Sequence, residues 1–179
     1  DGDGNRKGPS DVVNALGDGV GLWNINGARM DLDALAPGLR RGTPIWFYNG
    51  YEPRVGPTIT NGEGVGPRTW LWVVWNSDLQ GTALWDFLQG YNHKPWENGG
   101  VVKNENKLAG QALFFYPGDD VGAQGKGFVS MRLKAFRRGM QDYEYFHLLA
   151  QNDGKPNRAK AYAARVVHGN INLKLDVHK

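Results

Sequence analysis

Apolar and aromatic runs bounded by glycine-rich turns dominate the pattern of this chain. The clearest run is TPIWFYN at 43–49, which starts beside Pro44 and ends at Asn49-Gly50, and it predicts a strand buried on both faces. Shorter runs predict further strands at about 19–25, 82–88 and 112–116.

Helical periodicity alternates with these strands. Leu32, Leu35 and Leu39 recur at the spacing of one helix face, although Pro37 interrupts the run, and Gly42 marks its end. Further helices are predicted from Asp11 onward, over 130–151 and over about 157–168.

The segment 68–79 supports two interpretations. Its valines and tryptophans favour a strand, whereas Leu71, Trp75 and Leu79 recur at the i, i+4, i+8 spacing of a helix. The residues alone leave both possibilities open. With long polar loops at 51–67 and 90–110, the order of elements indicates an α/β protein with parallel strands and loops gathered at one end.

The predicted helix at 130–151 carries a glycine near its middle. Leu133, Phe136, Met140 and Tyr143 form one apolar stripe, and Gly139 borders that stripe. Glycine inside a helix costs about 1 kcal/mol relative to alanine. We therefore expect the helix backbone to approach a partner closely at Gly139; in a barrel, that partner would be the layer of strands.

The basic residues of this helix are interpreted as a solvated outer face, with Arg138 and Asp142 forming an i, i+4 ion pair. The formal net charge of the chain is only +3, and no block of like charges favours a nucleic-acid partner. The basic residues concerned are Arg132, Lys134, Arg137 and Arg138.

Composition adds one indication of ligand chemistry. A chain of 179 residues suits one ordinary domain, and its 26 glycines, 7 tryptophans, 7 tyrosines and 7 phenylalanines predict loop-rich, ring-lined surfaces of the kind that hold neutral sugars. Cysteine is absent, so thiolate metal sites are excluded, and no apolar run is long enough to span a membrane.

Other chemistry finds little support. Asp119-Asp120 follows Pro117-Gly118 and fits an ordinary turn better than a cation site, and the four histidines show no ligand spacing. No phosphate-binding loop and no serine-hydrolase elbow occurs, so we expect neither a cofactor nor a metal.

Four stretches carry a family resemblance. They are GTPIWFYNGYEP at 42–53, RTWLWVVWNSDLQGTALW at 68–85, LFFYPG at 113–118 and VSMRLKAFRRGMQDYEYFHLL at 129–149. In this order they resemble the carboxyl-terminal part of bacterial glycoside-hydrolase-like proteins grouped as domain of unknown function 4091, which are related to glycoside hydrolase family 123. The last stretch is the most specific.

The resemblance implies an α/β fold, the carboxyl-terminal portion of a (β/α)8 TIM-like barrel with about the last three βα units and a terminal helix pair. It implies a helix at 68–79. A loop-rich opening segment then covers 1–18, the barrel portion 19–151, and a helix and tail 152–179. A barrel needs eight strands and about 250 residues, so the N-terminal half of the same polypeptide or a companion chain is the expected partner.

The resemblance also implies a reaction. Related enzymes cleave 2-acetamido (N-acetylhexosamine) sugars by substrate assistance, in which an adjacent Asp-Glu pair orients the acetamido group and supplies the general acid and base. No Asp-Glu dipeptide occurs in this sequence, so the catalytic pair is expected outside this chain segment. The alternative is a non-catalytic carbohydrate-binding or structural component that retains the scaffold. An extracellular or periplasmic location is expected.

Candidate sugar-binding residues are aromatic and amide side chains near the ends of the predicted strands. Aromatic faces stack on sugar rings, and amides bond to hydroxyl groups. The competing interpretation for each strand tryptophan is core filling, and for each loop residue plain solvent exposure. The candidates are Trp23, Asn24, Trp46, Tyr48, Asn49, Trp85 and Trp96.

Overall fold

The computed structural model describes residues 19–27, 30–49, 64–92, 94–100, 109–154 and 156–167, with residues 12, 15, 16, 56, 58–60 and 62. Its elements are β1 Trp23–Asn26, α1 Leu32–Arg40, β2 Ile45–Tyr48, α2 Trp70–Asn76, β3 Gly81–Ala83, α3 Pro95–Asn98, β4 Phe115–Pro117, β5 Gly127–Val129, α4 Met131–Asp153 and α5 Pro156–Ala163. Two 3-10 turns occupy Gly66–Thr69 and Asp119–Val121. The helix predicted from Asp11 lies largely outside the described residues.

Strands β1, β2 and β3 form a parallel sheet in that order, which confirms the α/β prediction. In the register, Ile25 lies opposite Phe47, and Phe47 lies opposite Thr82. Each strand is shorter than its apolar run predicted, and the prediction that the third strand extends to Leu88 is wrong, because it ends at Ala83.

The sheet buries one face. Ile45 and Phe47 are 0% exposed, whereas the alternate residues Trp46 and Tyr48 are only half-buried. The prediction that this strand is buried on both faces is therefore wrong. Its apolar residues do alternate across the sheet, but within the described residues the helices cover one side.

Helix α2 confirms the helical interpretation of 68–79. Its most buried residues are Trp70, Val73 and Val74, which pack with Phe47 in the main core, while Leu71 is half-buried. The row of Leu71, Trp75 and Leu79 thus predicted the helical period correctly. It did not mark the most buried side of the helix, because Leu71 and Trp75 are half-buried and the buried Leu79 lies beyond the helix end.

Helix α1 runs through Pro37, contrary to the predicted interruption. Leu35 within it is fully buried in the main core. Gly42 follows with a φ of +77°, and its N–H donates to the Leu39 carbonyl at 3.0 Å, which confirms the predicted end of the helix.

The run at 112–116 behaves differently from its prediction. Ala112 has a φ of +53°, and Leu113 forms only an isolated antiparallel bridge with Leu88. The strand β4 starts at Phe115, includes Pro117 and pairs antiparallel with β5. This hairpin, instead of a further parallel strand, was not predicted from the sequence.

The long helix α4 confirms the prediction for 130–151. It begins after Ser130, whose side-chain oxygen accepts a hydrogen bond from the Leu133 N–H at 3.2 Å. At Gly139 an added Cβ would lie 2.3 Å from the Arg68 carbonyl oxygen. The close approach is confirmed, but the partner is the 3-10 turn before α2 and not a layer of strands.

The apolar stripe of α4 needs one correction. Met140 is 52% exposed, so it does not belong to the buried side. Phe146 does, and its ring packs 4.9 Å from that of Trp72 and 5.8 Å from that of Trp75. Helix α5 adds the fully buried Ala159 to this second cluster.

Asp142 of α4 pairs with Arg68, and the predicted Arg138 pair is wrong. The Arg68 guanidinium donates to both carboxylate oxygens, at 2.5 and 2.9 Å, and the Trp72 indole N–H donates to one of them at 2.9 Å. The hydrogen bonds from Arg68 to Asp142, together with the charge of that carboxylate, raise the pKa of Arg68, while burial of the guanidinium acts in the opposite direction. Arg138 donates instead to Gln141 at 3.1 Å.

The part of the chain that the structure describes contains no helix long and apolar enough to cross a membrane.

Candidate functional site

Side chains on the uncovered face of the parallel sheet form two rows. Register places Asn24 beside Trp46 and Trp46 beside Gly81 in the first row. Asn26, Tyr48 and Ala83 form the second row, one pleat closer to the carboxyl ends of the strands. Since the carboxyl ends of parallel strands meet at one edge, the second row leads to that edge.

Gly81 makes room for the first row. A Cβ at this position would lie 2.7 Å from the Trp46 indole, so the ring lies against the backbone of β3. Trp46 is consequently half-buried although no helix among the described residues covers it. A glycine at the start of a strand is the sequence signal for such a close approach, and the sequence analysis did not use it.

An aromatic pair marks the carboxyl edge of the sheet. Trp85, two residues beyond β3, stacks on Tyr48 with ring centroids 5.9 Å apart and an angle of 28° between the ring planes. Trp85 is 68% exposed, the largest exposure of any described tryptophan. We call Tyr48 and Trp85 the edge pair.

The backbone around the edge pair is sharply turned. Asn49 follows β2 with a φ of +57°, a conformation that asparagine tolerates better than most residues. Its carbonyl oxygen would lie 2.1 Å from a Cβ at Gly27, so the chains leaving β1 and β2 run in close contact. Asp86 accepts a hydrogen bond from the Leu88 N–H at 2.8 Å, which orients its carboxylate in the loop after Trp85.

Trp23 lies on the opposite side of the sheet. It alternates with Asn24 along β1 and packs against the main core together with Ile25. Its indole nitrogen is buried, with no hydrogen-bond partner in the part of the chain that the structure describes. This placement favours the core-filling interpretation for Trp23.

Trp96 belongs to a different surface. Its ring lies 4.7 Å from Tyr116 and 6.0 Å from Phe128, and its indole N–H donates to the Pro117 carbonyl at 2.7 Å. We call Trp96, Tyr116 and Phe128 the hairpin cluster. The structure therefore separates the predicted site residues into a sheet group and a hairpin group.

Arg132 supports the hairpin cluster from below. Its guanidinium donates to the Leu113 carbonyl at 3.1 and 3.3 Å and to the Tyr116 hydroxyl at 2.7 Å. The interpretation of Arg132 as part of a solvated outer face is therefore wrong, because the start of α4 turns this side chain under the hairpin. The sequence analysis missed this role, as well as those of Tyr116 and Phe128.

The remaining candidates carry little chemistry. Asp119 accepts a hydrogen bond from the Gly125 N–H at 2.7 Å, as an ordinary turn residue does. The described residues contain no group of three or more histidine, cysteine or acidic side chains that could hold a metal ion. His147 lies on the exposed side of α4 beside Gln151. The other three histidines lie outside the described residues.

Comparison with known proteins identifies one family. The family model described as the glycoside hydrolase 123 catalytic domain matches residues 14–149 of the chain's 179. The match includes both rows of the open sheet face, the edge pair and the hairpin cluster. No curated protein matches the chain at a significant level.

Proposed function

This chain belongs to the glycoside hydrolase 123 family, and from that membership we propose that it forms part of an enzyme that hydrolyses glycosides of 2-acetamido (N-acetylhexosamine) sugars. Membership in this family implies a carbohydrate ligand. The match to the catalytic-domain model is the single observation that carries the proposal. The exposed edge pair at the carboxyl ends of the strands adds a surface suited to sugar stacking.

The proposed architecture is the carboxyl-terminal portion of a (β/α)8 barrel with about the last three βα units. Three consecutive strands lie parallel and adjacent, and the helices that the structure describes pack on one face of them. Parallel sheets are otherwise covered on both faces or closed into barrels. Further strands, from the N-terminal half of the same polypeptide or from a companion chain, would close the sheet over the open face. Within the family, we propose that the chain is most similar to the proteins grouped as domain of unknown function 4091.

The proposed mechanism is substrate assistance. The acetamido oxygen attacks the anomeric carbon as the glycosidic bond breaks, while a glutamic acid protonates the leaving oxygen and an adjacent aspartate orients the acetamido group. The same glutamate then activates water to open the cyclic intermediate. The sequence contains no Asp-Glu dipeptide, so this chain would contribute sugar binding and the pair would come from outside this segment.

The proposed binding surface centres on the edge pair, with Asn24, Trp46 and Asn49 beside it. The two rings offer a broad apolar face to the C–H side of a sugar. Asn24 lies on the open sheet face, which would line the interior of the closed barrel, and its amide is of a type that bonds to sugar hydroxyl groups. Trp23 lies behind the sheet and would act by supporting β1.

The test of the proposal is hydrolysis by the complete polypeptide that contains this chain, or by the chain together with its companion. We expect release of the chromophore from nitrophenyl glycosides of N-acetylgalactosamine or N-acetylglucosamine and none from the matching glucosides or galactosides. Equal activity on sugars without the acetamido group would refute substrate assistance. Binding of the acetamido sugars without any hydrolysis would support the second candidate below.

The second candidate is a non-catalytic carbohydrate-binding or structural component that keeps the scaffold. It is supported by the exposed edge pair, which suits sugar binding without any catalytic group, and it requires that the complete polypeptide lacks the Asp-Glu pair. Under either function, an extracellular or periplasmic location is proposed, where glycans are accessible.

A further inference from the structure

The hairpin cluster is the second exposed aromatic surface of the molecule. Trp96 is 46% exposed and Phe128 is 42% exposed, while Tyr116 is half-buried beneath them. The rings come from α3 and from the two strands β4 and β5, where Tyr116 and Phe128 are directly paired. Segments distant in sequence therefore build one aromatic surface.

The polar atoms of the hairpin cluster are already engaged within the protein. The Trp96 indole N–H donates to the Pro117 carbonyl, and the Tyr116 hydroxyl accepts from Arg132, both at 2.7 Å. These bonds hold the indole against the hairpin before any ligand arrives. What remains for a ligand is the apolar ring surface, in a fixed orientation that reduces the entropic cost of binding.

The size of this surface suits a sugar better than a protein. Two half-exposed rings present roughly 200 Å², whereas a stable protein interface takes about 800 Å² from each partner. Val129 is also exposed, but it alternates with Phe128 along β5 and so lies on the other side of the hairpin. Lys94 and Glu97 lie on either side of Trp96 in the chain, and their side chains are 70% and 68% exposed. The Lys94 Nζ lies 3.1 Å from the Glu97 Oε2, and both groups can form hydrogen bonds with the hydroxyl groups of a sugar.

The hairpin cluster is connected to the edge pair through packed structure. The segment after β3 contacts the segment leading into β4, through the Phe87 and Phe114 rings at 5.6 Å and the bridge between Leu88 and Leu113. The two aromatic surfaces therefore sit on one continuous framework.

We propose that the hairpin cluster is a second saccharide subsite, which stacks on a sugar unit of an oligosaccharide whose other end occupies the edge pair. This inference rests on the proposed function, since it assigns a longer glycan to the same sugar-binding protein. It predicts that sugars too short to reach both surfaces do not use Trp96.

The experiment compares monosaccharides with longer glycans. Binding of N-acetylgalactosamine, N-acetylglucosamine and tetrasaccharides ending in either sugar is measured by calorimetry on the complete polypeptide that contains this chain, or on the chain together with its companion, and on the corresponding Trp96→Ala, Phe128→Ala and Trp85→Ala variants. We expect Trp96→Ala to weaken tetrasaccharide binding about tenfold, as the loss of one aromatic stacking contact does. Phe128→Ala leaves the hydrogen bond from Trp96 to Pro117 intact, and we expect it to weaken tetrasaccharide binding several-fold. Monosaccharide affinity should stay within about twofold in both variants, whereas Trp85→Ala should weaken both ligands.

Trp96→Phe separates stacking from support of the hairpin. It keeps an aromatic face but removes the N–H that donates to Pro117, so a stacking role predicts retention of most of the tetrasaccharide affinity. A loss as large as that of Trp96→Ala would overturn the subsite. So would unchanged tetrasaccharide affinity in Trp96→Ala and Phe128→Ala while Trp85→Ala still weakens binding, and that result would leave the proposed function standing. Absence of binding of any of these sugars to the unaltered complete polypeptide, or to the chain with its companion, would overturn both.

Discussion

Replacing Gly139 by alanine tests the contact between α4 and the 3-10 turn before α2. The new Cβ would lie 2.3 Å from the carbonyl oxygen of Arg68 and 3.0 Å from its carbonyl carbon. Ordinary contact needs a separation of about 3.5 Å, so the helix and the turn must part by roughly 1 Å. Because the obstructing atoms are main-chain atoms, no change of rotamer relieves the overlap.

The expected cost follows from three contributions. Overpacking of this kind costs about 1–3 kcal/mol. Separation of the two elements also stretches the bonds from Arg68 and Trp72 to Asp142, at about 1 kcal/mol or more. Alanine returns about 1 kcal/mol of helix propensity. We therefore expect Gly139→Ala to lower the free energy of unfolding by about 1–3 kcal/mol, measured as a lower denaturant midpoint with an unchanged slope.

A matched comparison at Glu144 isolates helix propensity. Glu144 is exposed on the same helix, so the Glu144→Ala variant should be more stable than Glu144→Gly by about 1 kcal/mol. The reversed order of alanine and glycine at Gly139 is then attributable to the contact. Equal or greater stability of Gly139→Ala would refute the close packing. Recovery of stability on adding Arg68→Ala would show that the arginine side chain, not its backbone, is the obstacle.

Three further changes test other parts of the fold. Asp142→Asn should lower the free energy of unfolding by about 1–3 kcal/mol, because it weakens charged hydrogen bonds that Arg68 donates. Urea titrations measure this change, and a loss below about 0.3 kcal/mol would contradict the role of the pair. Because the pKa of Arg68 is raised, the stabilisation linked to its proton is fully present at neutral pH and is lost as the pH rises through that pKa in strongly alkaline solution. Ser130→Ala should cost about 1 kcal/mol through loss of the helix cap, seen as a lower Tm, while Ser130→Asp should retain most of the stability. Phe146→Ala should lower the free energy of unfolding by about 3 kcal/mol and Met140→Ala by under about 0.5 kcal/mol, since of the two side chains only that of Phe146 is buried. Similar losses in the two variants would restore Met140 to the buried stripe.

Much of the secondary structure followed from local pattern. The apolar run of β2 and the stop of α1 at Gly42 depend on residues close together in sequence, and both were predicted from them. The glycine in α4 also signalled a close approach, because its cost in a helix requires compensation. What occupies the other side of that contact was not readable from the helix itself.

The candidate site was only partly predictable. Tyr48 and Trp85 were named because each lies in or near the end of a predicted strand, but their stacking depends on the order and register of strands far apart in the chain. The hairpin cluster depends on an antiparallel pairing that no tight two-residue turn announced, since Gly118–Lys126 separates the strands by a longer loop. Trp96 could not be assigned to it from sequence spacing.

The sequence by itself determined the class of fold, the strongest helix and the family to which the chain belongs, because periodicity and motifs are written in neighbouring residues. Only the tertiary structure decided which face of the sheet the described helices cover, that Asp142 binds Arg68 instead of Arg138, and that the aromatic candidates form two surfaces. Periodicity shows which side of a helix or strand is buried and which is exposed. The partner on that side is set by contacts between distant segments, whose energies depend on geometry that one segment does not contain.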